Sequence, residues 1–331
     1  MIDLAQGRIL VTGGAGFIGS ALVWELNRRG FQNILIADFL GETEKWKNLA
    51  PLRFVDYLEA DSLLDLVKES SYLLSDIRTI FHLGACSSTT ETDAAYLIHN
   101  NYEYSKTLAH FALESGRRYV YASSAATYGA RESGLSENLP LSRLRPLNMY
   151  AYSKHLFDCY AESINMLGRI TGIKYFNVYG PNENHKGEMR SVVNKAFNQI
   201  GNTGRVSLFK SYRPDYPDGA QRRDFLYVMD AVAATVFLAE QVDGGGLFNV
   251  GSGEAHTWLE LAHAIFIAMG KEQRIDFIDM PEQLRGRYQY FTRADIAKLR
   301  AAGFTQSFTP LRKGVSDYVQ AYLQPDLHLG D

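Results

Sequence analysis

Apolar positions along this chain fall into short dense runs separated by longer stretches with helical spacing. The runs RILVT (8–12), NILIAD (33–38), RFVDYL (53–58), IRTIFHLG (77–84), RYVYASS (118–124) and GIKYFNVYG (172–180) are rich in β-branched and aromatic residues and predict six strands. Between them, residues 17–30 predict an amphipathic helix ending at Gly30, and a short helical region follows 58. Longer helices are predicted from near Thr92 to Ser115 and from near Leu147 to Leu167. Strands that read as buried runs, with helices between them, predict a doubly wound parallel α/β sheet of the Rossmann type, its crossovers right-handed.

Beyond Gly180 the pattern loosens. A helix near 187–201, a strand VSLFK (206–210) and a loop of Tyr, Pro, Asp and Gly (212–221) come first. RDFLYV (223–228), a helix over 229–241 and LFNVGSG (247–253) then read as a return to the sheet, and RIDFIDM (274–280) lies among further helices. The expected division is a dinucleotide-binding part from 1–176, 225–253 and about 290–304. A smaller, discontinuous α/β substrate part takes 177–224, 254–289 and about 305–331, without a clean linker.

Composition narrows the function classes. The 331 residues suffice for one large domain or two smaller ones, and 46% apolar with 21% charged residues is ordinary for a soluble protein. A net charge of −3 gives no drive toward nucleic acid, and no apolar run spans a bilayer, so neither partner is expected. The start MIDLAQGR lacks secretory features, and Cys86 and Cys159 are too few for a disulfide framework, so the cytoplasm is the expected compartment. His82, His99, His110 and His185 lack metal-ligand spacing with one another or with cysteine, so no metal is expected. Cys86 has no neighbouring base for thiol chemistry and reads as a small buried residue.

Two motifs carry chemistry. VTGGAGFIGS places Gly13, Gly16 and Gly19 three apart, directly after a strand and at the opening of a helix. Glycines let backbone approach a pyrophosphate, and the helix N-terminus offers free N–H groups and positive dipole. Asp38 ends the second strand, 19 residues after Gly19, where its carboxylate can accept from an adenosine ribose. Ser124 ends the fifth strand at the carboxyl edge of the sheet, and YAYSK (150–154) puts Tyr150 and Lys154 on one helix face, with Tyr152 pointing elsewhere. A phenol with a pKa of about 10 is a poor base at neutral pH. A nearby ammonium and a nicotinamide cation would both favour phenolate, and Lys154 can supply the first while holding the cofactor ribose.

TGGAGFIG, FHLGACSSTTETD, NNYEYSK, YASSAATYG, YAYSK and YFNVYGP occur in the order of the extended short-chain dehydrogenase/reductase superfamily, which the chain resembles. GACSSTTE (84–91), ASSAATYG (122–129), NVYGP…HKG (177–187), RDF (223–225) and GRYQ.FT.AD (286–295) resemble more closely the ADP-L-glycero-D-manno-heptose 6-epimerase family. That resemblance implies an isomerase of nucleotide-sugar metabolism that makes the heptose precursor of lipopolysaccharide core. It implies a bound nicotinamide cofactor, NADP with NAD as the alternative. It also implies a homo-oligomer, a pentamer being one assembly it suggests.

Position by position, the resemblance implies Phe17, Ile18, Asp38, Phe39 and Lys45 near the adenosine end of the cofactor. Leu83, Gly84, Ala85, Cys86, Ser87 and Asn100 are implied along the dinucleotide, and Lys154 and Val178 near its nicotinamide half. Asn177, Phe209, Arg223 and Tyr288 are implied to face the ADP-sugar. Three positions depart from the pattern: Glu59-Ala60 where some relatives carry a second lysine, and Glu188 and Lys195 at substrate positions associated with serine and histidine. Arg223 is favoured as a diphosphate ligand over a merely solvated Arg222–Arg223 pair.

Lys186 is the expected second acid–base group, because a ketone reduced from both faces presents its oxygen in two places and Tyr150 serves only one of them. A lysine that pairs with the diphosphate or faces water is the other reading. A nucleotide-sugar 4-epimerase is the alternative function. A 4,6-dehydratase is disfavoured because SSAATYG lacks a carboxylate, and a redox-sensing binding protein because both Tyr150 and Lys154 are present.

Overall fold

The structure is a computed structural model that describes residues 3–241, 244–286 and 288–331. Arg287 of the GRYQ motif lies outside the described residues.

Seven strands form one parallel sheet: β1 (Arg8–Thr12), β2 (Ile34–Asp38), β3 (Asp56–Glu59), β4 (Ile77–His82), β5 (Arg118–Ser124), β6 (Thr171–Tyr175) and β11 (Gly246–Val250). Their order is β11-β6-β5-β4-β1-β2-β3, so the direction of winding reverses between β1 and β4. An open sheet binds ligands outside the carboxyl ends of its strands at that reversal. Alternate residues serve opposite faces. Ile9 and Val11 join the core with Ala21 and Leu22 of α1 (Phe17–Arg28), whereas Leu10 joins Leu63 of α2 (Ala60–Lys68).

The helix predicted near 92–115 runs as α3 (Ala94–Leu97), a π turn over Ile98–Glu103 and α4 (Tyr104–Glu114). The next is α5 (Met149–Ser163), on the same face as α2 and α4. Two predicted strands are each broken in two. The sixth leaves the sheet after Tyr175, where the Phe176 N–H donates to Val250, and continues as β7 (Asn177–Tyr179). The RDFLYV run splits at Asp224 into β9 (Arg222–Arg223) and β10 (Phe225–Tyr227). β10 pairs with β7, so the boundaries expected at 176/177 and 224/225 divide one small sheet. The third strand starts at Asp56, later than expected, because pairing with β2 begins there.

α6 (Val192–Thr203) follows β7, capped by Ser191 at its start and by Gly204 in the left-handed conformation at its end. β8 (Val206–Phe209) pairs in parallel with β13 (Ile275–Ile278), and β9 pairs antiparallel with β12 (His256–Thr257). α7 (Val228–Gln241) packs beside α1. α8 (Trp258–Ala268) opens with a capping box of Thr257 and Glu260. Short helices α9 (Glu282–Arg285), α10 (Ala297–Ala301) and α11 (Leu311–Asp317) complete the chain, the last packing on α8. No helix among the described residues is long and apolar enough to cross a membrane.

Candidate active site

A cleft of about 1540 Å³ opens over the carboxyl ends of β1, β4 and β5. Its floor is the glycine turn. Gly13 has φ 69°, and a Cβ there would lie 2.6 Å from the Gly84 nitrogen, so β1 and β4 meet only through glycine. A Cβ on Gly19 would lie 2.0 Å from the Gly13 carbonyl, so α1 closes onto the turn only without a side chain. Gly16 begins α1 without a side-chain cap, leaving the helix's first N–H groups without a side-chain acceptor at the cap.

Asp38 is buried at the tip of β2, accepting from the Ala15 N–H (2.9 Å) and the Phe39 N–H (2.7 Å). Lys45 reaches the same carboxylate at 2.5 Å and the Phe39 carbonyl at 3.0 Å. This end of the cleft therefore holds a neutralised pair rather than a bare carboxylate.

Behind the floor runs a closed set of buried hydrogen bonds. Gly84 N–H donates to Thr12 Oγ1, which lies 2.7 Å from His82 Nδ1; His82 Nε2 lies 2.9 Å from Ser105 Oγ, which donates to the Asn101 carbonyl. With both hydroxyls committed in this order, the neutral ring carries its proton on Nε2. Burial, helped by the Lys154 charge, holds His82 down at about 3, so the ring stays neutral. Asn101 clamps the loop after β4 from both sides, accepting from Cys86 N–H (2.9 Å) and donating to the Cys86 carbonyl (3.0 Å). It also donates to Ser153 Oγ, which in turn donates to the Tyr150 carbonyl.

Tyr150 shares a side-chain hydrogen bond with Ser124 at the end of β5. Burial pushes the phenol above its ordinary value, the Ser124 bond pulls it down, and Cys86 adds to the rise. The lowering expected from the sequence is therefore absent from the protein alone, because desolvation outweighs the neighbours. Lys154 is held down to about 8 by burial, against Asp158 and Cys86, which raise it. One helical turn on, Asp158 is fully buried and accepts from Lys174 Nζ (2.6 Å), Tyr121 OH (2.8 Å) and Ser123 Oγ (2.8 Å). Lys174 also donates to Thr127 Oγ1, which donates to the Ser124 carbonyl, so this pair supports the serine from behind.

Lys186 reaches the cleft from the loop between β7 and α6, its Nζ 5.3 Å from the centre of the Phe17 ring. Burial lowers its pKa and Glu183 opposes the fall. At the other end of the cleft Arg223 is 7% exposed and donates to the Arg222 carbonyl. Its guanidinium lies over the rings of Trp258 (5.6 Å) and Tyr288 (5.1 Å), and Trp258 Nε1 donates to the Tyr288 hydroxyl. A buried cation without a carboxylate is costly unless an anion completes it.

A family model described as "NAD dependent epimerase/dehydratase family" matches residues 9–251. The chain belongs to this family. It is 51% identical to the ADP-L-glycero-D-manno-heptose-6-epimerase of Nitratidesulfovibrio vulgaris strain Hildenborough over 97% of this chain and 99% of that one. It is 45% identical to the enzyme of the same name from Fusobacterium nucleatum, over 95% and 98% of the two chains. The crystal structure of Helicobacter pylori ADP-L-glycero-D-manno-heptose-6-epimerase superposes with TM-score 0.80 at 27% identity, covering 97% and 98%. Thermus thermophilus UDP-glucose 4-epimerase in complex with NAD gives 0.75 at 25% identity, covering 97% and 100%.

Within this family cleft the structure gathers the three glycines, Phe17, Ile18, Asp38, Phe39 and Lys45 at one end. Leu83 to Ser87, Ser124, Tyr150 and Lys154 line the middle, and Asn177, Val178, Lys186, Arg223 and Tyr288 the far side. Four expected residues do not line it. Asn100 turns back to the Tyr96 carbonyl, and its neighbour Asn101 holds the loop instead. Glu188 is exposed, its carbonyl accepting from Lys195, and Phe209 packs edge-on to Tyr288 behind the cleft wall. Sequence reading missed Asn101, Asp158, Lys174 and Trp258. The first is displaced by the π turn, and the others matter through partners distant in sequence.

Proposed function

We propose that this member of the epimerase family interconverts ADP-D-glycero-D-manno-heptose and ADP-L-glycero-D-manno-heptose by transient oxidation at C6. The names of the relatives at 45–51% identity support that substrate. The observation that carries the mechanism is that Tyr150 on α5 and Lys186 on the loop between β7 and α6 line one cleft. The glycine cradle and the Asp38–Lys45 pair fit a dinucleotide, which would accept hydrogen from C6 and return it. Ser124 and Tyr150 bind the C6 oxygen in one orientation, and Tyr150 takes or gives its proton there. After the side chain rotates, Lys186 does the same for the oxygen on the other side. Arg223 holds the diphosphate through forked, charge-assisted bonds.

NADP is the favoured cofactor, because Lys45 neutralises the carboxylate that would otherwise repel a 2′-phosphate. The part of the chain outside the seven-stranded sheet is the proposed sugar-nucleotide side, and a soluble homo-oligomer is the proposed working form.

The deciding experiment incubates the protein with ADP-D-glycero-D-manno-heptose and, separately, a UDP-hexose, and follows the products by NMR. Inversion at C6 of the heptose alone is expected; inversion at C4 of the hexose would replace this reading with the 4-epimerase. Lys186→Met is expected to abolish interconversion while substrate binding stays within roughly tenfold. Strongly weakened ADP binding with turnover spared at saturation would return Lys186 to the role of a phosphate ligand.

A further inference from the structure

The loop carrying Lys186 is held from behind by the C-terminal segment. Asn182 opens the loop in the left-handed conformation, φ 73°, and is 3% exposed. Its side chain is committed in two directions: the amide donates to Ser20 Oγ on α1, and the carbonyl accepts the Leu329 N–H, both at 3.0 Å. Its backbone carbonyl accepts the Asn48 amide (3.0 Å), which also reaches the Ala15 carbonyl (2.9 Å) in the glycine turn. Leu329 is fully buried. Beside it the His328 N–H donates to the Asp331 carboxylate at 2.6 Å, and Gly330, at φ 102°, closes against Pro51.

The neck of the loop is tied across. Buried Glu183 accepts from the Ser191 N–H (2.5 Å) and hydroxyl (2.6 Å). The tip is different. A Cβ on Gly187 would have nothing within 4 Å, and Lys186 rests on the Phe17 ring. The tip has lighter ties, Arg190 Nε to the Gly187 carbonyl (2.7 Å) and the Asn48 amide 3.2 Å from His185 Nδ1, so the buried neck sets the direction of the loop.

We propose that Asn182 and Leu329 are positioning residues for Lys186: the buried Leu329 side chain seats its N–H on Asn182, and that bond aims the loop over the cleft. The geometry stands apart from the epimerase reading, and only its effect on turnover rests on it. Two variants separate the parts. Asn182→Gly keeps the left-handed backbone and deletes both side-chain bonds. Leu329→Ala keeps the N–H and removes the side chain that seats it.

The test is trace acylation of the lysines by acetic anhydride, read by mass spectrometry, with Lys68 as internal reference because its side chain is 64% exposed. In both variants Lys186 is expected to acylate at least about fivefold faster relative to Lys68, with cofactor content unchanged and kcat reduced more than KM is raised. An unchanged Lys186-to-Lys68 ratio in a variant whose circular dichroism is native overturns the proposal. If Leu329→Ala does not fold, Asn182→Gly decides alone. Faster acylation with undiminished kcat supports the brace and removes Lys186 from the acid–base chemistry. An inactive Lys186→Met beside an unchanged ratio does the reverse.

Discussion

Lys154 illustrates how much one side chain depends on burial. In the protein without cofactor it is held at about 8, below its ordinary 10.5. Between those values the unfolded chain binds a proton that the folded chain has released, so this group makes stability rise with pH across that window. Its full penalty is present below about 8. Lys154→Met removes the penalty. Thermal melts of the cofactor-free proteins should show the variant's advantage over the parent largest below pH 8 and shrinking toward pH 10. An advantage independent of pH would mean that Lys154 is not desolvated in solution. The role proposed for Tyr150 is in chemistry rather than stability. Tyr150→Phe keeps the ring, loses the ionisable oxygen, and is expected to cost ~10²–10⁴-fold in epimerisation with cofactor content unchanged. Activity within a few-fold of the parent would move the role elsewhere, with Tyr152 next to be tested.

At the scale of elements, the π turn over Ile98–Glu103 matters more than its length suggests. One extra residue in the helical turn swings Asn101 inward, where its amide meets both polar groups of Cys86 and the Ser153 hydroxyl. Asn101→Ala strands those groups. The expected loss is about 1–3 kcal/mol by urea denaturation, together with weaker cofactor retention, because the Leu83 to Ser87 loop loses its clamp. Asn100→Ala, one residue earlier, removes a bond to the Tyr96 carbonyl at the surface and should leave both unchanged. Equal effects from the two substitutions would refute the register assigned to this helix. The same scale explains the two broken strands. A run such as GIKYFNVYG has the composition of one strand, and it divides because β6 and β7 find different partners on either side of Phe176.

For the whole molecule, charge placement decides what is structural. The Lys174–Asp158 pair is buried to within 1% on both sides and joins β5, β6 and α5 beneath Ser124. Lys174→Met leaves a buried carboxylate without its cation and is expected to cost ~3–5 kcal/mol. Arg205–Asp276 lies on the surface with both partners open to water, and Arg205→Ala should leave the urea midpoint unmoved. A stable Lys174→Met protein would show that the Tyr121 and Ser123 hydroxyls suffice to hold Asp158. Lys45 is the comparable decision for the cofactor. Lys45→Glu exposes Asp38 beside a second carboxylate and should shift the dinucleotide that co-purifies from NADP toward NAD, read by chromatography of denatured extracts. Only NAD in the parent protein would overturn the preference itself.

Much of this was legible along the chain. Buried apolar runs with helices between them determine a parallel sheet, because strands without a polar face need cover on both sides. Gly13, Gly16 and Gly19 after a strand determine a tight turn into a helix, because only glycine permits the approach seen between Gly13 and Gly84. Tyr150 and Lys154 share a face because helical spacing brings positions four apart together. What only the tertiary structure decided is contact between residues far apart in sequence. That Lys45 sits on Asp38, that Asn101 rather than Asn100 faces the loop, and that Arg223 lies over Trp258 and Tyr288 follow from how the elements dock. Periodicity sets which face a residue takes within its own helix or strand. It carries no information on which distant segment will cover that face, and Asn182 and Leu329, 147 positions apart, come together only when the core is packed.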